Sequence, residues 1–291
     1  MKSSVYSMCA IFAGVLWGII SVFLKGLYAV GFSALQVMFL RAFISCFVMG
    51  FFLFFKDKSL LKFDLKDIWM FLGSGVVSLS FFSLCYFYTI LESGASVAVI
   101  LLYTSPIFVL LLSVFLFKEK ITLIKVLALV FTFIGCVFVS GIGSNSGLSL
   151  KGFSIGLCAG FGYALYSIFS RFALKKYNIL TVIFYTFLFS AVSIIPFCNV
   201  SEIFVMFNMK TVLFSGGIAI LCTVLPYIFY TLSLSGLETG MAAILVTVEP
   251  LVATLLGFFL WKEDVSVLKI IGIILIFGSV LLLGTKKSFD E

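Results

Sequence analysis

Glu249 is the residue of this sequence whose type and place most invite chemistry. It stands near the middle of the apolar run Thr239–Glu263, TGMAAILVTVEPLVATLLGFFLWKE, which is long enough to cross a bilayer as a helix. An ionisable group at that depth is costly in lipid and faces a cavity or a partner instead. Ala242, Val246, Glu249, Ala253 and Gly257 recur at three- and four-residue steps, so the carboxylate shares its face with mostly small residues that permit close helix approach. Pro250 lacks an N–H and frees the carbonyl of Val246, which could face the same cavity as an acceptor. A carboxylate placed this way binds a proton or the cationic group of a solute, or else it is a protonated or ion-paired packing residue. Arg41 is the one Arg or Lys that lies well inside a predicted span, away from its ends. It is either the anchor for a substrate carboxylate or a structural group that bonds helix carbonyls or pairs with an acid such as Glu249.

Aromatic residues with a polar group need a partner in a dry interior. Trp17, Tyr86, Tyr103, Tyr163, Tyr166, Tyr227 and Tyr230 fall at midspan and are the candidate lining of a substrate cavity, whereas most of the 37 Phe face lipid or pack. Pro106, Pro196, Pro226 and Pro250 all lie inside predicted spans, as kinks that are either static or hinges. Enzyme chemistry finds little purchase. There is no histidine, which removes zinc-protease, Ser–His and haem sites, and Asp57, Asp64, Asp67, Asp264 and Asp290 sit at span ends or in loops, away from any intramembrane acid pair. The seven cysteines form no CxxC and read as small packing hydrophobes, not as disulfides or metal ligands. Gly73-Ser74-Gly75 is not followed by the GK[ST] of a phosphate loop. No cofactor and no metal are called for.

The elements that must position these residues are transmembrane helices. The chain is 63% hydrophobic and 11% charged, against about 25% charged for soluble chains. Ten spans of about twenty residues can be drawn: Val5–Leu24, Ser33–Phe55, Asp67–Leu91, Ala95–Phe117, Leu123–Ile142, Gly152–Phe172, Leu180–Asn199, Thr211–Leu232, Gly240–Trp261 and Val265–Gly284. The first carries no cleavage site and is read as a retained span. Val200–Met209 is expected to lie along the interface. Lys and Arg concentrate at the ends that share a side with the N-terminus, notably Lys56–Lys66, Lys118–Lys125 and Arg171–Lys176, so both termini are expected in the cytoplasm of a multi-pass cell-membrane protein. The net charge of +7 is therefore a topology signal and not a nucleic-acid footprint.

The run Ala95–Glu119 repeats the pattern of Thr239–Glu263 at one constant offset. Pro106 matches Pro250, Lys118-Glu119 match Lys262-Glu263, and Lys125 matches Lys269. Span one echoes span six, with Trp17 opposite Tyr163, and span three echoes span eight. Residues 1–145 and 150–291 thus read as two five-helix repeats, with Gly143–Lys151 as the seam. An odd number of spans makes the repeats inverted, the plan of many secondary transporters.

With Arg41 in span two, Pro106 and Lys118-Glu119 ending span four, and Glu249-Pro250 with Lys262-Glu263 ending span nine, the chain resembles the drug/metabolite transporter superfamily, EamA type. One departure is that Lys118 and Lys262 stand where the family often has glycine. The resemblance implies an all-α carrier of an amino acid, related metabolite or drug-like compound, exported by alternating access, with protons as a candidate coupling ion. A channel or facilitator, or a membrane scaffold, is the alternative.

Overall fold

The computed structural model describes residues 3–140, 149–262 and 266–285, with side chains as far as Leu283, and their regular structure is helical throughout. Among these residues nine helical stretches are long and apolar enough to cross a membrane: Ser3–Val30, Ala34–Lys56, Leu65–Ser93, Ala95–Phe117, Leu123–Ser140, Leu150–Ala173, Ile179–Phe197, Met209–Gly236 and Thr239–Trp261. A shorter apolar helix, Val267–Thr285, follows. We call these spans one to ten in chain order. Helices are what lipid demands, because each backbone N–H and C=O must find its partner within the segment. The seam Gly143–Lys151 lies outside the described residues up to Leu148, as do Glu263 and Asp264.

Local chemistry sets the boundaries. Ser33 opens span two with a reciprocal cap: its Oγ accepts from Gln36 N–H at 3.3 Å, and Gln36 Oε1 accepts from Ser33 N–H at 2.8 Å. Spans four and nine both end on a lysine in the left-handed conformation, Lys118 at φ 55° and Lys262 at φ 54°. Left-handed backbone favours glycine, so the departure noted in the sequence is a local strain carried at matching positions. Pro196 corrects an expectation. It sits in the closing 3₁₀ turn Ile195–Phe197 and ends span seven instead of kinking its interior.

Polar contacts between connections sort the two ends of the bundle. Gln36, at the start of span two, donates to Glu202 in the short helix Val200–Val205 at 2.9 Å. Glu92 pairs with Lys151, and Lys25 sits over the Trp261 ring. These contacts gather the connections after spans one, three, five, seven and nine at one end. At the other end, Lys176 bonds Asp64 at 2.6 Å and Asp67 at 2.5 Å, and the two carboxylates hold its ammonium above the usual lysine range. Lys125 pairs with Glu238 there, and Lys175 sits over the Phe117 ring. Within the bundle, span five packs on ten, two on seven, three on six and one on eight. Exchanging the two halves of the chain maps these pairings onto one another, as a repeat requires. Phe47, Phe55, Phe115 and Phe259 point outward from the bundle.

Candidate functional site

Two broken helices frame the site. Span four runs Ala95–Leu102, turns at Tyr103–Thr104 and resumes at Ser105, with Pro106 in the first turn. Span nine runs Thr239–Leu245, tightens into the 3₁₀ turn Val246–Val248 and resumes at Glu249, with Pro250 in the first turn. Proline has no N–H for the ladder and fits only where a helix starts, which is why both spans break at equivalent places. The carbonyl of Val246 is not left free. It accepts the N–H of Glu249 and is covered by Gly14 of span one, where a Cβ would lie 2.3 Å from it. Gly160 of span six covers the other break in the same way, since a Cβ there would lie 2.6 Å from Leu101 O. The glycines let the backbones of spans one and six approach the interrupted helices.

Spans three and eight carry a second matched irregularity. Gly73–Ser80 and Ile220–Val224 are wound as π-helix, a form found mostly at functional sites. Each is closed by a hydroxyl donating to the carbonyl five residues back, Ser80 to Gly75 at 3.1 Å and Thr223 to Ile218 at 2.9 Å. Each closing hydroxyl also meets the other half. Ser80 bonds Ser190 and Ser193 of span seven at 3.0 and 2.7 Å, and Arg41 Nε of span two donates to Thr223 at 2.7 Å. Pro226 follows the π segment of span eight at the start of the helix Leu225–Gly236.

A cavity of about 590 Å³ enters from the end that carries the first and third connections, past Tyr28, Phe32, Ile90 and Ala95. It reaches Arg41, Tyr86, Tyr163, Tyr227, Trp17 and Glu249. That volume is within the range of small-molecule sites. A second, nearly closed pocket of about 20 Å³, room for a water, continues beyond it, lined by Tyr103, Tyr166, Ser167, Tyr230 and Thr247. Trp17, Tyr163, Tyr227 and Glu249 line both and mark the junction. The aromatic candidates are thus brought together around one carboxylate. Trp17 stands edge-on to Tyr163 and Tyr227, at 6.3 and 5.3 Å between ring centroids, and tilted to Tyr230 at 5.6 Å.

The polar groups of these aromatic residues divide into two kinds. Tyr166 is held by Thr231 at 2.6 Å and Tyr230 by Ser167 at 2.7 Å, so both brace span six against span eight. Trp17 Nε1, by contrast, is buried without a hydrogen-bond partner among the described residues. Arg41 lines the cavity, but its hydrogen bond goes to Thr223 and not to an acid. Among the described residues no salt bridge within 4.0 Å joins Arg41 or Glu249 to an opposite charge. Sequence reasoning missed Tyr28, Ser83, Phe82 and Thr247, which look like ordinary packing or interface residues until the helices are assembled. Among the described residues no cluster of three or more His, Cys, Asp or Glu is placed to hold a metal ion.

Comparison with known proteins shows the family and the fold. An uncharacterized transporter of Archaeoglobus fulgidus is 28% identical over 280 residues, covering 94% of this chain and 93% of its own. The uncharacterized transporter YetK of Bacillus subtilis is 24% identical over 255 residues, covering 85% of this chain and 77% of its own. A solved crystal structure superposes over the whole of both chains with a TM-score of 0.81 at 16% identity, which shows a shared fold. The model of the EamA-like transporter family matches twice, over residues 5–141 and 150–285. The chain therefore belongs to the EamA-like transporter family, and its family and fold are those of a membrane transporter, not of an enzyme.

Proposed function

We propose that this chain is a secondary transporter that moves a small organic solute bearing a cationic group, an amino acid, related metabolite or drug-like compound, by alternating access. One observation carries the reading: Glu249 stands at the junction of the two cavities, ringed by Trp17, Tyr163 and Tyr227, with no cationic side chain paired to it among the described residues. A carboxylate in a low-dielectric site needs a proton or a cation, and aromatic faces add attraction for an organic cation. Proton and solute would compete for the same oxygens, which makes the proton the natural coupling ion. Arg41, at the same cavity, would take a carboxylate or other acceptor of the solute. Trp17, Tyr86, Tyr103, Tyr163, Tyr166, Tyr227 and Tyr230 form the lining in this proposal, Tyr166 and Tyr230 chiefly as braces.

Two inverted five-helix repeats, residues 1–145 and 150–291, supply the alternation. The twofold family match and the matched breaks in spans four and nine support that plan. The Lys and Arg distribution supports cytoplasmic termini, an orientation in which the wide cavity opens outward, and export is the direction proposed from the family resemblance.

The test is a thermal-shift screen of purified protein against amino acids, nucleosides, polyamines and quaternary amines, repeated with Glu249→Gln. A ligand at a hundred times its Kd stabilises by about 2.7 kcal/mol. Charge-assisted bonds contribute about 1.5–3 kcal/mol, so Glu249→Gln is expected to weaken a cationic hit about 10- to 100-fold. A cationic ligand that stabilises both proteins equally would remove Glu249 from the site.

A further inference from the structure

The end of the bundle opposite the wide cavity is held by a polar network that the substrate site does not use. Glu119, just past the left-handed Lys118, accepts the N–H groups of Thr239 at 2.6 Å and Gly240 at 3.2 Å, the first residues of span nine. Lys125 of span five, wholly buried, pairs with Glu238 at 2.5 Å and donates to Lys120 O at 2.7 Å. Arg171, in the last turn of span six, donates to Leu234 O and, at 3.0 Å, to Leu237 O. Three charged side chains from spans four to six thus converge on the short connection between spans eight and nine. Removing any one of them strands buried polar groups, so the network closes as a unit.

At the open end Glu263 and Lys269 match Glu119 and Lys125 in the sequence, but the connection they would hold has changed. By the repeat offsets, Gly94 stands where Glu238 would be, Ala95 where Thr239 is, and Lys25 where Arg171 is. Gly94 offers no carboxylate, Ala95 lines the open cavity, and Lys25 lies over the Trp261 ring at 3.4 Å. The Lys125–Glu238 pair of the closed end, in which only the lysine is buried, has no acidic equivalent at this position.

We infer that Glu119, Lys125 and Arg171 form a latch on the connection at Leu237–Glu238, that this latch must release for solute to pass the closed end, and that Glu238 opposite Gly94 biases the resting protein to open at the other end. The inference rests on the alternating-access reading above. It predicts that weakening the latch shifts the population toward opening at the latched end, because only differential stabilisation of one state moves such an equilibrium.

The test needs no substrate. A single cysteine replaces Ala243, on the inner pocket wall, in a variant whose native cysteines are changed to alanine, and the protein is reconstituted in liposomes. A membrane-impermeant maleimide is then applied to one side at a time. Labelling from the latched side is expected to be slow, and Glu119→Gln or Lys125→Met is expected to speed it at least about tenfold while the fold stays intact by melting temperature. A cysteine pair at Glu119 and Thr239, once oxidised, is expected to abolish labelling from that side until it is reduced. If the parent labels from both sides and neither the substitutions nor the cross-link change the rate, the latch is refuted and the carrier reading survives. If no variant ever labels from the latched side, alternation itself fails, and the latch with it.

Discussion

Replacing Gly14 by alanine tests the claim that close approach of span one holds the break beside Glu249. A methyl at that position would lie 2.3 Å from Val246 O and 2.6 Å from Val248 Cγ1. Ordinary contact begins at 3.4 Å, so the carbonyl must yield by about 1 Å. That carbonyl also accepts the Glu249 N–H, so it cannot yield without disturbing the 3₁₀ turn. Overpacking of this kind costs about 1–3 kcal/mol, while the gain in helix propensity from glycine to alanine is about 1 kcal/mol. The carbonyl is backbone and already bonded, which places the clash at the upper end and leaves a net loss of about 2 kcal/mol. At roughly 2–4 °C per kcal/mol, the melting temperature should fall by about 4–8 °C. Gly216 is the internal control, because a Cβ there meets nothing within 4 Å. Gly216→Ala should keep the propensity gain of up to about 1 kcal/mol and melt slightly higher. Differential scanning fluorimetry in detergent measures both. If Gly14→Ala melts as high as Gly216→Ala, the break is not held by this contact.

Further outcomes follow from other features. Lys118→Gly and Lys262→Gly relieve a left-handed backbone worth about 1 kcal/mol, partly offset by the flexibility of glycine in the unfolded chain; each should raise stability by about 0.5 kcal/mol, and a fall in melting temperature at both sites would contradict the strain. Tyr166→Phe and Tyr230→Phe each remove one partner of a buried hydroxyl pair and should cost about 1–2 kcal/mol in melts. If these two tyrosines are braces, ligand-induced shifts should survive once the lower baseline is subtracted. Cysteines at Leu65 and Leu150, both exposed at 77% and 83%, should react with impermeant maleimide from opposite sides of the membrane. Reaction from one side would break the proposed topology.

The parts of this molecule that could be read in advance are those encoded as types at fixed spacing. Proline cannot hide, so the interruptions at Pro106 and Pro250 were legible, and the apolar run Ala95–Phe117 coincides with the span observed. The interruption of span one between Gly18 and Ile20 carries no proline and left no trace. The π segments were equally invisible, because a serine or threonine that closes onto the carbonyl five residues back looks like any small packing residue. The bond of Arg41 to Thr223 was hidden for the same reason. The wider turn in span eight brings the Thr223 hydroxyl to the guanidinium, and no spacing rule anticipates it. Glu119, Lys125 and Arg171 were seen as repeat matches and as charges near span ends, with no partner assigned. What they hold, a connection more than sixty residues downstream of the nearest of them, is a fact of assembly.

Most of the polar cross-links described above run between the first and second halves of the chain: Gln36 to Glu202, Arg41 to Thr223, Ser80 to Ser190, Lys125 to Glu238 and Asp67 to Lys176. This has a consequence for synthesis. A ribosome adds about 5–20 residues per second, so the first five helices wait on the order of ten seconds for their partners. Throughout that interval Arg41, Ser80 and Lys125 stand in or beside lipid without Thr223, Ser190 and Glu238, which they later meet. The nascent half is thus the most vulnerable form of the protein, a client for whatever shields polar side chains inside the bilayer. A ribosome that stalls near the seam would release a fragment that membrane quality control can recognise by those same exposed groups.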